Sequence, residues 1–224
     1  MITAVLPLVV HGQLVGAWPY VLVGAVAAFG AGWWLSGWGR RVCYSTSRWL
    51  HSGVVGFVAA VLAGAAVNLS GTWWEIASFW LLGVACGVLI CCDLAVLRLP
   101  DPIMVLAYPV FLGALLIAAA GTGQWPRFGR ALLAGLVLLV FYLINALVFP
   151  SGIYLGDVKF AGLLGAWLGW FGWVHLVWGT LLAAILGGVL GLGVIISRRG
   201  DRKTEYPYGP MMALGAWIAA VWLL

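Results

Sequence analysis

The chain has 224 residues, of which 65% are hydrophobic and only 8% are charged, and its formal net charge is +5. Soluble domains carry about 25% charged residues, so this composition excludes an ordinary soluble enzyme and indicates a protein of the lipid bilayer. The basic surplus is explained by membrane orientation, and no nucleic-acid partner is expected.

Apolar segments predict an all-α, polytopic membrane protein with about eight transmembrane helices, because a spanning helix needs roughly 17 to 25 residues. The stretch 158–196 is divided near Trp170 to Trp173, since one helix of about 39 residues would be roughly 58 Å long, nearly twice the hydrocarbon thickness. Residues 1–13 lack the features of a cleaved signal peptide and are expected along the outer surface. The predicted helices are 18–38, 50–69, 74–92, 101–120, 131–149, 158–173, 174–196 and 208–224.

The basic residues predict the orientation, because cytoplasmic loops are enriched in Lys and Arg. Nine of the eleven basic residues fall on one side of the predicted helices, and Arg127 and Arg130 fall on the other. The first side is therefore predicted to be cytoplasmic, with both termini outside. These nine residues are Arg40, Arg41, Arg48, Arg98, Lys159, Arg198, Arg199, Arg202 and Lys203.

Several tryptophans lie near predicted outer helix ends, where the amphipathic indole suits the headgroup region, and we interpret them as anchors. Glycine pairs at four-residue spacing favour close helix packing. The four cysteines show no C-x-x-C spacing and are interpreted as buried apolar residues. The anchors are Trp73, Trp74, Trp125, Trp170 and Trp173, and the pairs are Gly83 and Gly87, Gly152 and Gly156, Gly165 and Gly169, and Gly187 and Gly191.

Metal and cofactor chemistry is not indicated by any motif. His11, His51 and His175 are scattered over both predicted faces, without partners at ligand spacing. The sequence also lacks G-x-S-x-G, H-E-x-x-H and a Walker loop. No cofactor or metal is therefore expected, and the remaining candidates for chemistry are carboxylates.

Asp93 and Asp157 are the acidic residues at the ends of long apolar stretches, and the predicted helices between them return the chain to the same, cytoplasmic side. An acid within or bordering the membrane is a functional candidate by default. Asp157 could instead cap its helix, and Asp93 could be an interfacial acid near Arg98. Asp101 is expected to start a helix with Pro102 at its first position, and Glu75 to lie on the outer side.

Three stretches then resemble one family. They are D-L-A-V-L-R-L-P-D from Asp93 to Asp101, G-I-Y-L-G-D-V-K from Gly152 to Lys159, and Y-P-Y-G-P-M-M-A-L-G from Tyr206 to Gly215. Their order and spacing are similar to those of the type IV prepilin leader peptidases, intramembrane aspartyl proteases of the GxGD type. The resemblance covers 74–224, which we interpret as a six-helix peptidase core after a two-helix region with a short basic cytoplasmic loop, 1–73.

The resemblance implies an enzyme of the cytoplasmic (inner) membrane that serves type IV pilus or type II secretion systems. Its expected activity is cleavage of the short basic leader from prepilin or pseudopilin precursors, at the cytoplasmic face, by two aspartates without a metal. Carried over by motif, the catalytic residues are Asp93 and Asp157. The residues given supporting roles are Gly156, Lys159, Pro207, Gly209 and Pro210.

Two departures from the family pattern concern Tyr154 and the loop after the first helix. Tyr154 stands where the family's turn has its first glycine, so the turn can differ in backbone conformation. Larger members carry a cysteine-rich cytoplasmic domain after the first helix, associated with methylating the new N-terminus. Here 39–50 hold only Cys43, so a peptidase without methyltransferase activity is expected.

Peptide hydrolysis by this pair needs one carboxylate as base toward water and the other, protonated, as donor to the carbonyl oxygen. Glycines near Gly152, Gly156 and Gly209 are hypothesised to leave room for an extended peptide. Two alternatives stay open. One is an ion-coupled transporter that uses both acids as cation sites, and the other is a non-catalytic scaffold of pilus or secretion assembly.

Overall fold

The computed structural model describes residues 9–10, 13–14, 18–148, 154–196 and 206–223. Within these residues the predicted all-α fold is confirmed, and a 3-10 helix, Arg48–Leu50, precedes the second helix. One short strand pair, β1 (Val9–Val10) with β2 (Gln13–Leu14), is antiparallel. The predicted surface position of 1–13 falls largely outside the described residues. The helices are α1 (Trp18–Cys43), α2 (Ser52–Asn68), α3 (Trp73–Val96), α4 (Asp101–Thr122), α5 (Trp125–Val148), α6 (Leu155–Phe171), α7 (Trp173–Ile196) and α8 (Gly209–Trp222).

Five helices of the described chain are long and apolar enough to cross a membrane, namely α1, α3, α4, α5 and the Trp173–Gly193 part of α7. The molecule is therefore a polytopic all-α membrane protein. The remaining helices α2, α6 and α8 have 17, 17 and 14 residues.

The helix boundaries follow the apolar pattern, with two informative differences. The predicted break in 158–196 is confirmed, because α6 ends at Phe171 and α7 begins at Trp173. By contrast, α5 begins at Trp125 rather than at residue 131 and so includes both basic residues of that stretch. Arg130 is accommodated inside the helix because its guanidinium donates to the main-chain oxygens of Gly169 and Trp170 at 2.7 and 2.8 Å.

Glycine pairs bring helices into close contact, as predicted. A Cβ added at Gly83 or Gly87 would collide with the backbone of Ala63 or Ala59, so α3 packs directly on α2. Gly165 and Gly169 likewise allow α6 to pack closely on α5. Gly187 and Gly191 of α7 face tyrosine rings. Gly152 lies outside the described residues. Of the five spanning helices, α3 is the most enclosed, with α2, α4 and α8 among its neighbours.

The end of the bundle expected to face outward differs from the sequence prediction at Trp170 and holds a buried acid, Glu75. Trp73, Trp74, Trp125 and Trp173 are exposed, as anchors would be, but Trp170 is 1% exposed and was wrongly predicted. Glu75 is only 2% exposed and accepts hydrogen bonds from Trp170 Nε1 at 3.2 Å and from the Gly71 N–H at 2.6 Å. Trp170 is therefore a core residue paired with a buried acid.

The cysteines follow the prediction more closely. Cys86, Cys91 and Cys92 are buried in α3, and Cys43 is partly buried at the end of α1. All four are free thiols.

Candidate active site

A cavity of about 1250 Å³ opens at one end of the bundle. Its described walls come from the end of α1, the last turn of α3 with the following 97–101 segment, the first turns of α4 and α6, and the residues just before α8. Because consecutive helices run in opposite directions, the end of α3 and the starts of α4, α6 and α8 meet at this end. The three motif stretches thus reach one cavity.

Asp93 lies in the last turn of α3, and Leu97, the residue after this helix, has the left-handed conformation (φ 52°, ψ 36°). Its side chain is 4% exposed, and Oδ2 accepts a hydrogen bond of 2.9 Å from the Gly209 N–H. Gly209 is the first residue of α8, so the partial positive charge at this helix start faces the carboxylate. Asp93 is therefore a buried acid bonded to Gly209, and Arg98 lines the same cavity.

Asp157 lies in the first turn of α6 and is 5% exposed. Its Oδ2 accepts a hydrogen bond of 3.0 Å from the Tyr154 N–H, so the capping contact considered from the sequence does form. This contact engages Oδ2, and the side chain lies on the cavity wall. Asp93 and Asp157 line the same cavity, and their charges interact.

Tyr154, the departure from the family turn, has an extended backbone with φ −97° and ψ 161°. Any residue adopts this conformation, so the absence of a glycine costs the turn nothing. The other glycine of the motif, Gly156, is placed closely against the 97–101 segment. A Cβ on Gly156 would lie 3.0 Å from Leu99 Cβ, which explains the small residue here.

Lys159 lies two residues after Asp157 in α6 and connects α6 to α4. Its Nζ is 2.6 Å from Asp101 Oδ1, and its main-chain oxygen accepts a 2.6 Å hydrogen bond from the Tyr108 hydroxyl. Asp101 begins α4 as predicted, but Pro102 is the second helical residue rather than the first. These contacts give Lys159 a supporting position at the cavity rim.

Pro207, Gly209 and Pro210 were predicted to lie near the active site. Gly209 does so directly, whereas Pro210 is buried in the first turn of α8 and Pro207 is partly buried in the segment before it. Gly209 is also buried, and a Cβ added there would lie 3.0 Å from Asp93 Oδ2. The absence of a side chain at Gly209 thus leaves space for the Asp93 carboxylate, and the hypothesis of a glycine-lined peptide entry stays a prediction.

Comparisons with known proteins show which family the chain belongs to. A prepilin leader peptidase/N-methyltransferase of Aeromonas salmonicida (strain A449) is 32% identical over 162 residues, covering 70% of this chain and 53% of that protein. The Aeromonas hydrophila protein of the same name is 31% identical over 175 residues, covering 75% of this chain and 57% of that one. The chain belongs to the type IV prepilin leader peptidase family.

A further prepilin leader peptidase/N-methyltransferase, from Pseudomonas aeruginosa, is 35% identical over 83 residues, 37% of this chain and 28% of that protein. This chain, a member of the prepilin leader peptidase family, spans little more than half the length of the Aeromonas relatives. No protein-family model matches it. No solved structure matches it either.

The structure adds residues to this candidate site that the motifs did not indicate. Arg41, Cys43 and Tyr44, at the end of α1, form a wall of the cavity, although the family resemblance begins only at residue 74. Tyr208 lines the cavity beside Gly209, and its hydroxyl meets that of Tyr142. Tyr208 lies within the third motif, so that motif could have indicated it as a candidate residue. The end of α1 lies outside all three motifs and carries no such indication.

Proposed function

We propose that the chain is an intramembrane aspartyl endopeptidase that removes the short basic leader from type IV prepilin or pseudopilin-like precursors. The observation that carries this proposal is that Asp93 and Asp157, from distant motifs, line one cavity. Relatives named for leader peptidase activity support the substrate class. The cavity volume of about 1250 Å³ exceeds the roughly 300–1,000 Å³ of a small-molecule site and suits a peptide segment.

The chemistry follows from two acids close enough to repel each other. Because both cannot ionise cheaply, the pair holds one shared proton. The ionised carboxylate takes a proton from water as the water oxygen bonds to the scissile carbonyl carbon, and the protonated one donates to the carbonyl oxygen. When the C–N bond breaks, the departing nitrogen receives a proton from the dyad and the new carboxyl group stays on the leader.

Charge supports a cytoplasmic position for the cavity. Among the described residues, the cavity end carries five basic side chains and the opposite end two, Arg127 and Arg130. The positive-inside rule therefore favours the cytoplasmic face of the proposed bacterial inner membrane for the cavity. The four basic residues of 197–205 lie outside the described residues. The five are Arg40, Arg41, Arg48, Arg98 and Lys159.

All eight helices are proposed to cross the bilayer, the shorter α2, α6 and α8 packing against the longer ones. The division into a two-helix region, 1–73, and a six-helix core, 74–224, is retained as a proposal, with the end of α1 completing the cavity wall. Between α1 and α2 there are only residues 44–51. This loop has no room for a methyltransferase domain, so we propose peptidase activity alone, although the relatives carry both names.

The decisive experiment replaces each acid by its isosteric amide. Asp93→Asn and Asp157→Asn should each lower leader removal from a co-expressed prepilin by more than about 1000-fold, because the dyad then lacks one of its two proton-transfer groups. Leader removal is followed by the mobility shift of the prepilin on gels. As the control, both variants should insert into the membrane and unfold on heating in the same way as the wild-type protein.

A transporter or a scaffold would leave the prepilin uncut by the wild-type protein as well. That result would reject the proposed function, as would full cleavage by either amide variant.

A further inference from the structure

Two tyrosines form a hydroxyl pair at the inner edge of the cavity. Tyr142 of α5 is 3% exposed, and its hydroxyl lies 3.2 Å from the hydroxyl of Tyr208, which lines the cavity. The two ring centroids are 6.3 Å apart. The pair therefore connects the bundle interior to the cavity that holds Asp93 and Asp157.

The Tyr208 ring is fixed in place by its neighbours. A Cβ added to Gly187 of α7 would lie 2.5 Å from this ring, so only glycine there lets the ring lie against α7. The main-chain oxygen of Tyr208 accepts hydrogen bonds from Met211 and Met212 at 3.0 and 3.1 Å. The next residue, Gly209, donates to Asp93. Tyr208 is thus held immediately beside the dyad.

Hydrogen-bond accounting assigns the protons of the pair. Among the described residues, the Tyr142 hydroxyl has Tyr208 as its one hydrogen-bond partner. A buried O–H that donates to nothing costs about 1–3 kcal/mol, so Tyr142 donates to the Tyr208 oxygen. The proton of Tyr208 is then available to the cavity that Tyr208 lines together with Asp93 and Asp157.

We propose that Tyr208 is a third catalytic residue, whose hydroxyl donates a hydrogen bond to the scissile carbonyl oxygen as negative charge develops on it, and that Tyr142 is its positioning residue. This inference rests on the proposed peptidase function. The protonated carboxylate supplies one hydrogen bond to this oxygen and the Tyr208 hydroxyl supplies a second, whereas the ionised carboxylate that acts as base only accepts hydrogen bonds. A prepositioned donor at the developing oxyanion stabilises the transition state more than the bound substrate.

The test compares tyrosine-to-phenylalanine variants of the full chain in a cleavage assay with a purified prepilin. Tyr208→Phe should lower kcat about 10- to 100-fold and leave KM within about twofold, because a transition-state donor is removed. Tyr142→Phe should lower kcat less, by about threefold to tenfold. In the Tyr208→Phe background, Tyr142→Phe should have no further effect, since it acts through the missing hydroxyl.

Tyr20→Phe, the same chemical change near the opposite end of the bundle, is the matched control and should keep wild-type kinetics. Gly187→Ala gives an independent test that keeps both hydroxyls, since its Cβ must displace the Tyr208 ring and lower kcat. An unchanged kcat in Tyr208→Phe or Gly187→Ala, or losses that multiply in the double variant, would overturn the inference. Failure of the wild type to cleave would instead reject the proposed function.

Discussion

At the scale of single residues, the two aspartates lie on different helices, and each is held by a hydrogen bond from a main-chain N–H. Asp93 accepts one main-chain N–H from the start of α8, and Asp157 accepts one from the residue before α6. Each bond fixes one carboxylate oxygen, and the mutual repulsion of the acids disfavours a doubly ionised pair. The backbone therefore orients both side chains, without a basic residue bonded to either acid in the described part of the chain, and the proposed mechanism has them share one proton.

Gly209→Ala tests this orientation at a single atom. The added Cβ would lie 3.0 Å from Asp93 Oδ2, closer than most such contacts, so the carboxylate must shift by a few tenths of an ångström. We expect prepilin cleavage to slow about tenfold, since misplaced catalytic groups lose rate steeply. Thermal unfolding should stay near that of the wild type, because φ at Gly209 is not left-handed.

Gly188→Ala is the matched control, since an added Cβ on this residue of α7 meets nothing within 4 Å. It should retain wild-type cleavage and stability. Undiminished cleavage by Gly209→Ala would show that contact with Gly209 does not place the Asp93 carboxylate.

At the scale of elements, the helices that carry the two acids are joined at their far ends. Glu75 near the start of α3 bonds to Trp170 near the end of α6. Phe79 of α3 packs edge-on against Trp167 of α6 with ring centroids 6.1 Å apart. Side chains rather than backbone contacts therefore join α3 to α6 at the end opposite Asp93 and Asp157.

Glu75→Ala should destabilise the protein by about 1–3 kcal/mol, because the buried indole N–H of Trp170 and the Gly71 N–H lose their acceptor. Glu75→Gln, whose amide oxygen still accepts, is the control and should lose clearly less. Thermal unfolding in a fixed detergent measures both. Equal stability of the two variants would mean that this hydrogen bonding does not stabilise the join between α3 and α6.

These same elements show what the sequence can predict. Apolar length located every helix of the described chain, and the motifs located Asp93, Asp157 and Gly209, because both signals are local. The Glu75–Trp170 pair joins residues 95 positions apart, and Arg130 finds its acceptors on another helix. Partners so distant leave no local pattern, so Trp170 was wrongly predicted as an anchor and the burial of Glu75 was not predicted.

At the scale of the whole molecule, the cavity depends on helix parity. Two helices, α4 and α5, separate the acids, so α3 ends and α6 begins at the same end of the bundle. The motifs, with the predicted helices between them, already implied that both acids lie at the same end. They did not predict the wall formed by the end of α1, because that wall is contributed by tertiary packing of a segment outside the resemblance.

The orientation of the whole bundle can be tested with single cysteines in a variant whose four native cysteines are alanine. Tyr44 is 97% exposed at the cavity end, and Trp125 is exposed at the opposite end. Since basic residues favour the cytoplasmic side, a membrane-impermeant maleimide added to intact spheroplasts should label Trp125→Cys and spare Tyr44→Cys. Both should react after lysis, which controls for accessibility. Labelling of Tyr44→Cys alone in intact spheroplasts would place the dyad on the outer face, where the cytoplasmic leader of a prepilin could not reach it.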